Sequence, residues 1–205
     1  MRKLPVYLLL DCSASMIGQP IEQVRQGLRA LLDDLFDEPM ALETVYLSVI
    51  TFNSTAEQLI PLTEIIQFKE PQIQAQGTTV LGAALRLLIN CLETEQNITE
   101  KQDWKPLVFL MTDGIPTDSW EAEAKEFRSK RLANLIAFAA GTKANIDNLQ
   151  QITDIILKTE EISAGTIKMF FQWMSQSIIH TGKTIQVMPK EIDLPPPPPH
   201  IQIVP

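Results

Sequence analysis

The chain has 205 residues, 45% of them hydrophobic, which suits one α/β domain with a sizeable core. Its 17 basic and 25 acidic side chains leave a net charge of −8, and no Lys/Arg cluster is long enough to follow a phosphate backbone, so nucleic acid is not an expected partner. The same sign disfavours anionic lipid.

The N-terminus begins Met1-Arg2-Lys3, but only about five apolar residues precede Asp11, below the roughly 7 to 15 of a signal-peptide core. No run of about 18 apolar residues follows, and the two cysteines, Cys12 and Cys91, lack the number and spacing of a disulfide framework. The expectation is a cytoplasmic protein with no membrane span.

The first apolar run, Val6 to Leu10, is continuous rather than alternating, as expected for a strand with helices on both faces. From Pro20 to Phe36 the residues Ile21, Val24, Leu28, Leu31, Leu32 and Leu35 recur at helical spacing. Val45 to Phe52 predicts a second strand, and the short turn Asn53-Ser54-Thr55 leads into a third at Ala56 to Leu62. So short a turn joins only antiparallel neighbours, so the pair is an edge hairpin. A helix follows at Val80 to Leu92, a polar loop at Glu93 to Trp104, and a fourth strand at Leu107 to Met111. Ser119 to Arg128 predicts a helix with Ser119 as its cap. Leu132 to Ala139 reads as strand five, Ile146 to Gln151 as a short helix, Asp154 to Leu157 as strand six, and Ser163 to Ile179 as the closing helix. The alternation predicts a doubly wound α/β sheet with one antiparallel edge. Beyond Thr184 the composition changes, with five prolines at Pro195 to Pro199 that favour polyproline II. The segment reads as a semi-rigid tail: a spacer, a stretch laid along the domain, or a docking peptide for an aromatic-lined groove.

Three segments carry candidate chemistry. Asp11-Cys12-Ser13-Ala14-Ser15 closes the first strand with one carboxylate and two hydroxyls, an all-oxygen set suited to a hard divalent cation. Alternate residues of an extended strand end point the same way, which would let Asp11, Ser13 and Ser15 converge while Cys12 and Ala14 face away. Gly77-Thr78-Thr79 opens a helix, and Val108 to Gly114 is a strand ending in Thr112-Asp113-Gly114. Each has a plainer reading as a turn or helix cap. Their conjunction at three element boundaries favours a metal site.

Together, Asp-x-Ser-x-Ser, Gly-x-Thr before a helix and strand-Thr-Asp-Gly resemble the metal-ion-dependent adhesion site of von Willebrand factor type A domains, in the same chain order. The resemblance covers about residues 5 to 180. It implies a Rossmann-like, mostly parallel sheet in the order 3-2-1-4-5-6, with a domain at 1–183 and the tail at 184–205. It also implies that Asp11, Ser13, Ser15, Thr79 and Asp113 hold the cation directly or through water. Hard oxygens with no nearby His favour Mg²⁺ or Mn²⁺ over Zn²⁺. One coordination position would stay open to a carboxylate from a protein partner. The runs Gln76 to Leu85 and Thr112 to Asp118 are similar to the bacterial TerY-like branch, associated with tellurite resistance and stress responses and acting beside a kinase and a phosphatase.

The implied role is therefore a cation-dependent protein-binding scaffold, not an enzyme. A Mg²⁺-dependent phosphohydrolase is the catalytic rival, but a haloacid-dehalogenase-like site would need Asp where Ser13 stands. There is no Gly-x-Ser-x-Gly elbow and no phosphate loop. Cys12 has no base near it in sequence, since His180 and His200 lie far along the chain, so an inert thiol is expected. Asp118 has two readings, a rim residue of the site or a capping acid for the helix at Ser119. Of Trp104, Trp120 and Trp173, Trp120 lies nearest the predicted site and is the candidate partner contact, against ordinary packing for all three.

Overall fold

The computed structural model describes residues 2–95, 103–160, 163–183 and 194–204. In chain order the elements are β1 (Leu4–Asp11), α1 (Gln19–Asp37), α2 (Pro39–Thr44), β2 (Val45–Phe52), β3 (Ala56–Glu64), α3 (Leu81–Thr94), β4 (Leu107–Thr112), α4 (Glu121–Lys130), β5 (Asn134–Ala140), α5 (Ile146–Gln150), β6 (Ile155–Thr159), α6 (Ala164–Lys183) and β7 (Gln202–Ile203). Most of the predicted polar loop at 93–104 and the first half of the tail, 184–193, lie outside the described residues.

The seven strands form one sheet in the order β3-β2-β1-β4-β5-β6-β7, matching the expected order for the first six. Strands β2, β1, β4, β5 and β6 are parallel, and β3 joins β2 antiparallel through the predicted hairpin.

Two buried clusters explain the continuous apolar runs. Leu4, Val6, Leu8 and Leu10 of β1, with Leu107, Phe109 and Met111 of β4, face one layer built on α1 and α6. Tyr7 and Leu9, with Val108 and Leu110, face the other, under α3 and α4. Because successive side chains point to opposite faces and both faces are covered, residues 6–10 and 107–111 carry no charged or hydroxyl-only side chain, and the polar Asp11 and Thr112 stand only at the strand ends. Aromatic contacts consolidate the first layer. Phe138 stacks on Phe170 at 4.1 Å between ring centres, and Phe109 meets Trp173 edge-on at 6.3 Å.

At the start of α4, at Trp120 and in the tail the structure corrects one reading and decides between others. Helix α4 begins at Glu121, and its N-cap is Trp120, not Ser119, with no side-chain cap. The Trp120 N–H is satisfied by the Glu121 carboxylate at 3.1 Å. Trp120 itself is buried in the second core layer, so it offers no surface to a partner. Finally, of the tail's readings the described part takes that of a stretch laid along the domain, and it adds a second antiparallel edge where only one was expected. The Trp173 indole N–H donates to the Pro195 carbonyl at 3.0 Å, Ile201 is buried in the first core layer, and Gln202–Ile203 pair with Leu157 and Lys158 of β6. The Val204 N–H extends the ladder to the Ile156 carbonyl at 2.8 Å.

Candidate metal centre

Strands β1 and β4 are parallel neighbours in register, with Leu10 opposite Met111, so their carboxyl ends emerge side by side. The chain leaves β1 toward β2 on one side, while β4 opens the other half of the sheet. This is the strand-order reversal where open α/β sheets bind ligands.

Backbone hydrogen bonds lace the surrounding loops together. The Cys12 N–H donates to the Phe52 carbonyl (2.8 Å), the Gln76 N–H to the Cys12 carbonyl (2.8 Å), the Ala14 N–H to the Gly77 carbonyl (3.0 Å) and the Val80 N–H to the Asn53 carbonyl (3.0 Å). Gly77 makes this possible. Its φ is +72°, and a Cβ there would lie 2.2 Å from the Ser54 hydroxyl.

Within this frame Asp11 ends β1 and is 1% exposed; Asp113 follows β4 and is 3% exposed. Asp11 accepts from the Ser13 N–H at 2.9 Å and from the Thr112 hydroxyl at 2.6 Å, through its two different oxygens. The Ser15 hydroxyl donates to Asp113 at 2.7 Å and lies 2.9 Å from the Ser13 hydroxyl. Thr79 enters from the third loop. A Cβ built on Gly114 would fall 3.4 Å from its hydroxyl oxygen, so that oxygen rests against the backbone next to Asp113.

The convergence of Ser13 and Ser15 comes from a turn, not from strand alternation. Ser13 is extended (φ −70°, ψ 172°), but Ala14–Met16 form one turn of 3-10 helix, closed by the Met16 N–H to the Ser13 carbonyl at 3.0 Å. That turn swings Ser15 back over Asp113.

The helix-cap reading of Thr79 fails as well. Helix α3 has Val80 at its N-cap without a side-chain bond. The cap comes from Asp118, whose two carboxylate oxygens accept from the Gly82 N–H (3.1 Å) and the Ala83 N–H (3.0 Å). Asp118 therefore serves the helix after Thr79, not the one after Ser119. Thr117 reinforces the join, its hydroxyl donating to the Thr79 carbonyl at 3.1 Å and accepting from the Thr79 N–H at 3.2 Å. Thr112 and Thr117 were not singled out from sequence. Only their places, flanking Asp113 by one and four residues, signalled them.

The electrostatics suit a cation. Two buried carboxylates face one another, and among the described residues neither Asp11 nor Asp113 has a Lys, Arg or His partner. Burial holds the Asp11 carboxyl above its usual range and the Asp113 charge adds to this, against the hydrogen bonds from Thr112 and Ser13. Buried like charges without a counter-charge are costly, and a divalent ion would supply one. Among the described residues no group of three or more His, Cys, Asp or Glu side chains gathers, so the donors here are two carboxylates and three hydroxyls. All are hard oxygens, of the type Mg²⁺, Mn²⁺ and Ca²⁺ prefer. Cys12 is no rival ligand: it is buried in the first core layer, and burial, with Asp11 beside it, pushes its thiol up to about 12.

The sequence matches the von Willebrand factor type A domain over residues 6–170. The chain belongs to this family. Curated relatives include inter-alpha-trypsin inhibitor heavy chain H4 of Bos taurus, 32% identical over 121 residues, which is 55% of this chain and 13% of that protein. An uncharacterized Synechocystis sp. protein is 32% identical over 120 residues, 55% of this chain and 26% of its own length. The chain thus spans only a minor part of either. Among solved structures, a von Willebrand factor type A protein from Catenulispora acidiphila aligns with a TM-score of 0.67 at 16% identity, covering 87% of this chain and 43% of that one. Proximal thread matrix protein 1 of the mussel byssus aligns at 0.65 and 18% identity, over 85% of this chain and 48% of that one. A structure of the same mussel protein with a zinc-occupied MIDAS motif aligns at 0.58 and 17% identity, over 85% and 46%. At these identities the likeness concerns the fold.

Proposed function

We propose that this von Willebrand factor type A domain is a divalent-cation-dependent protein-binding module. Asp11, Ser13, Ser15, Thr79 and Asp113 would hold Mg²⁺ or Mn²⁺, and the bound ion would act as the contact point for a carboxylate of a protein partner. The observation that carries this reading is the pair of buried carboxylates with no basic partner among the described residues, ringed by hydroxyls from three different loops. Family membership supports it, since such domains commonly mediate metal-dependent protein interaction.

The chain's own groups have separable tasks. Thr112 and the Ser13 N–H orient Asp11, so its carboxylate is positioned before any ion arrives. The 3-10 turn sets Ser13 and Ser15, and the Asp118 cap fixes the start of α3 just after Thr79. No catalytic step is assigned to these residues. Similarity of Gln76 to Leu85 and of Thr112 to Asp118 to the TerY-like branch supports a cytoplasmic scaffold in bacterial stress or phospho-signalling, beside a kinase and a phosphatase. The adhesion unit in this reading is residues 1–183, with 184–205 as its tail.

Thermal unfolding of the wild type and Asp11→Ala in EDTA, Mg²⁺ and Mn²⁺ tests the cation part. At ten times Kd a native-state ligand adds about 1.4 kcal/mol, roughly 3 to 6 °C for a domain of this size. The gain is expected in the wild type and not in the variant. Equal gains in both would remove Asp11 from the site, and a pull-down in Mg²⁺ against EDTA then tests the partner.

A further inference from the structure

Six large apolar side chains are exposed among the described residues, and two of them stand at the candidate metal centre. Ile17 and Ile115 are each 60% exposed. Ile17 lies two residues after Ser15, and Ile115 two residues after Asp113, whose side chains meet at 2.7 Å. Two residues of chain span at most about 7 Å, so each isoleucine's backbone lies within about that distance of the site residue on its own loop.

Their backbones are held. The Ile17 N–H donates to the Ala14 carbonyl at 3.2 Å, and Ile115 sits between Gly114, whose N–H donates to the Thr112 hydroxyl at 3.3 Å, and Pro116-Thr117, where the Thr117 N–H donates to the Thr79 carbonyl at 2.8 Å. Exposed apolar groups on pinned loops gain nothing by burial in the free domain. They are pre-organised to gain it when covered.

The loops that carry the candidate ligands hold little charge. Across 12–18, 53–55, 76–80 and 112–117 the only charged side chain is Asp113, the rest being hydroxyl, amide or apolar. A run of acids on a partner would find one cation to bind and no basic side chain on these four segments, against a chain of net charge −8. A lone carboxylate with apolar neighbours matches both features, the ion at the centre and the isoleucines beside it.

We propose that Ile17 and Ile115 form an apolar rim that selects a partner segment carrying a single carboxylate flanked by aliphatic side chains. This rests on the cation-site reading above and specifies its partner.

The test uses the full chain with ¹³C-labelled isoleucine methyls and three synthetic pentapeptides with a central aspartate, flanked by leucines, serines or glutamates. In Mg²⁺ the leucine-flanked peptide should bind at least about tenfold more tightly than the other two and shift the Ile17 and Ile115 methyl signals, with no binding in EDTA. Ile17→Ser and Ile115→Ser should each cut that preference at least about threefold while leaving the Mg²⁺-linked rise in Tm intact. If the Tm rise is present but the peptides bind equally, or none binds, or the isoleucine methyls do not respond, the rim proposal is overturned and the cation site stands. Absence of any Mg²⁺-linked rise in the wild type would instead overturn the cation site, and the rim proposal with it.

Discussion

Asp118 gives a sharp test of how the site is supported. Its carboxylate accepts from the Gly82 and Ala83 N–H groups at 3.1 and 3.0 Å, at the first turn of the 14-residue helix α3. Asp118→Ala removes that acceptor and its favourable charge at the helix N-terminus. Loss of a capping side chain costs about 0.5 to 2 kcal/mol, and loss of the dipole interaction about 0.3 to 1 kcal/mol. Asp118 is half-buried, so water replaces part of this, and we expect about 1.5 kcal/mol. For a domain of this size that lowers Tm by roughly 3 to 6 °C. Asp118→Asn keeps one acceptor oxygen and should recover about half. The assay is thermal unfolding in EDTA, followed by Mn²⁺ titration of each variant. Because Asp118 secures the helix after Thr79 without holding the ion, Mn²⁺ should still bind, weakened by less than about tenfold. Unchanged Tm together with abolished Mn²⁺ binding would refute the capping role and make Asp118 a ligand.

Other outcomes follow from the same geometry. Ile201→Ala empties a buried position that ties the tail to the domain, so the domain should lose about 2 kcal/mol or more in urea unfolding and the Trp173 emission should shift to the red; a neutral result would mean that the tail is not docked in solution. Cys12 and Cys91 are buried, with thiols pushed up to about 12 and about 11, so neither should react with a thiol reagent at about pH 8 until the protein unfolds, and fast labelling of the native protein would contradict this. Acidification should weaken the cation's effect. Burial raises the Asp11 carboxyl in the metal-free fold, so as pH falls through that raised value a proton competes with the ion, and the Mn²⁺-linked rise in Tm shrinks. In EDTA the sign reverses: the cost of burying ionised Asp11 sets in as pH rises from the usual carboxylate value to the raised one, so Asp11 alone favours the acid side. A Mn²⁺ effect that grew on acidification would exclude Asp11 as a ligand.

How legible all this was in the sequence depended on range. Val6 to Leu10 and Leu107 to Met111 announced a doubly covered parallel sheet because both faces of β1 and β4 are buried. Asp11 and Asp113 stood out because acids directly after such runs must lie at strand ends. What stayed hidden was set by contacts distant in sequence or by local turns. Asp118 caps a helix through the Gly82 N–H, 36 residues earlier, which no local pattern encodes. Ser15 reaches Asp113 through a 3-10 turn, where strand alternation would have predicted the same grouping for a different reason. Strand β7 is two residues long, and its place beside β6 depends on Ile201 finding a buried slot rather than on any strand-like run. Trp120 was the candidate partner contact because it lies nearest the predicted site, with ordinary packing as its other reading, and the close approach of α3 to 118–120 covers it. A Cβ on Gly82 would lie 2.3 Å from the Ser119 carbonyl oxygen.

The central claim is that a divalent ion sits among the β1, α3 and β4 loops, and Mn²⁺-induced broadening of backbone amide NMR signals tests it most directly. Substoichiometric Mn²⁺ should broaden residues 11–15, 77–80 and 112–115 first, and excess Mg²⁺ should restore them. Broadening centred elsewhere, for instance on the acidic stretch 33–37 of α1, or no selective broadening at all, would contradict the claim.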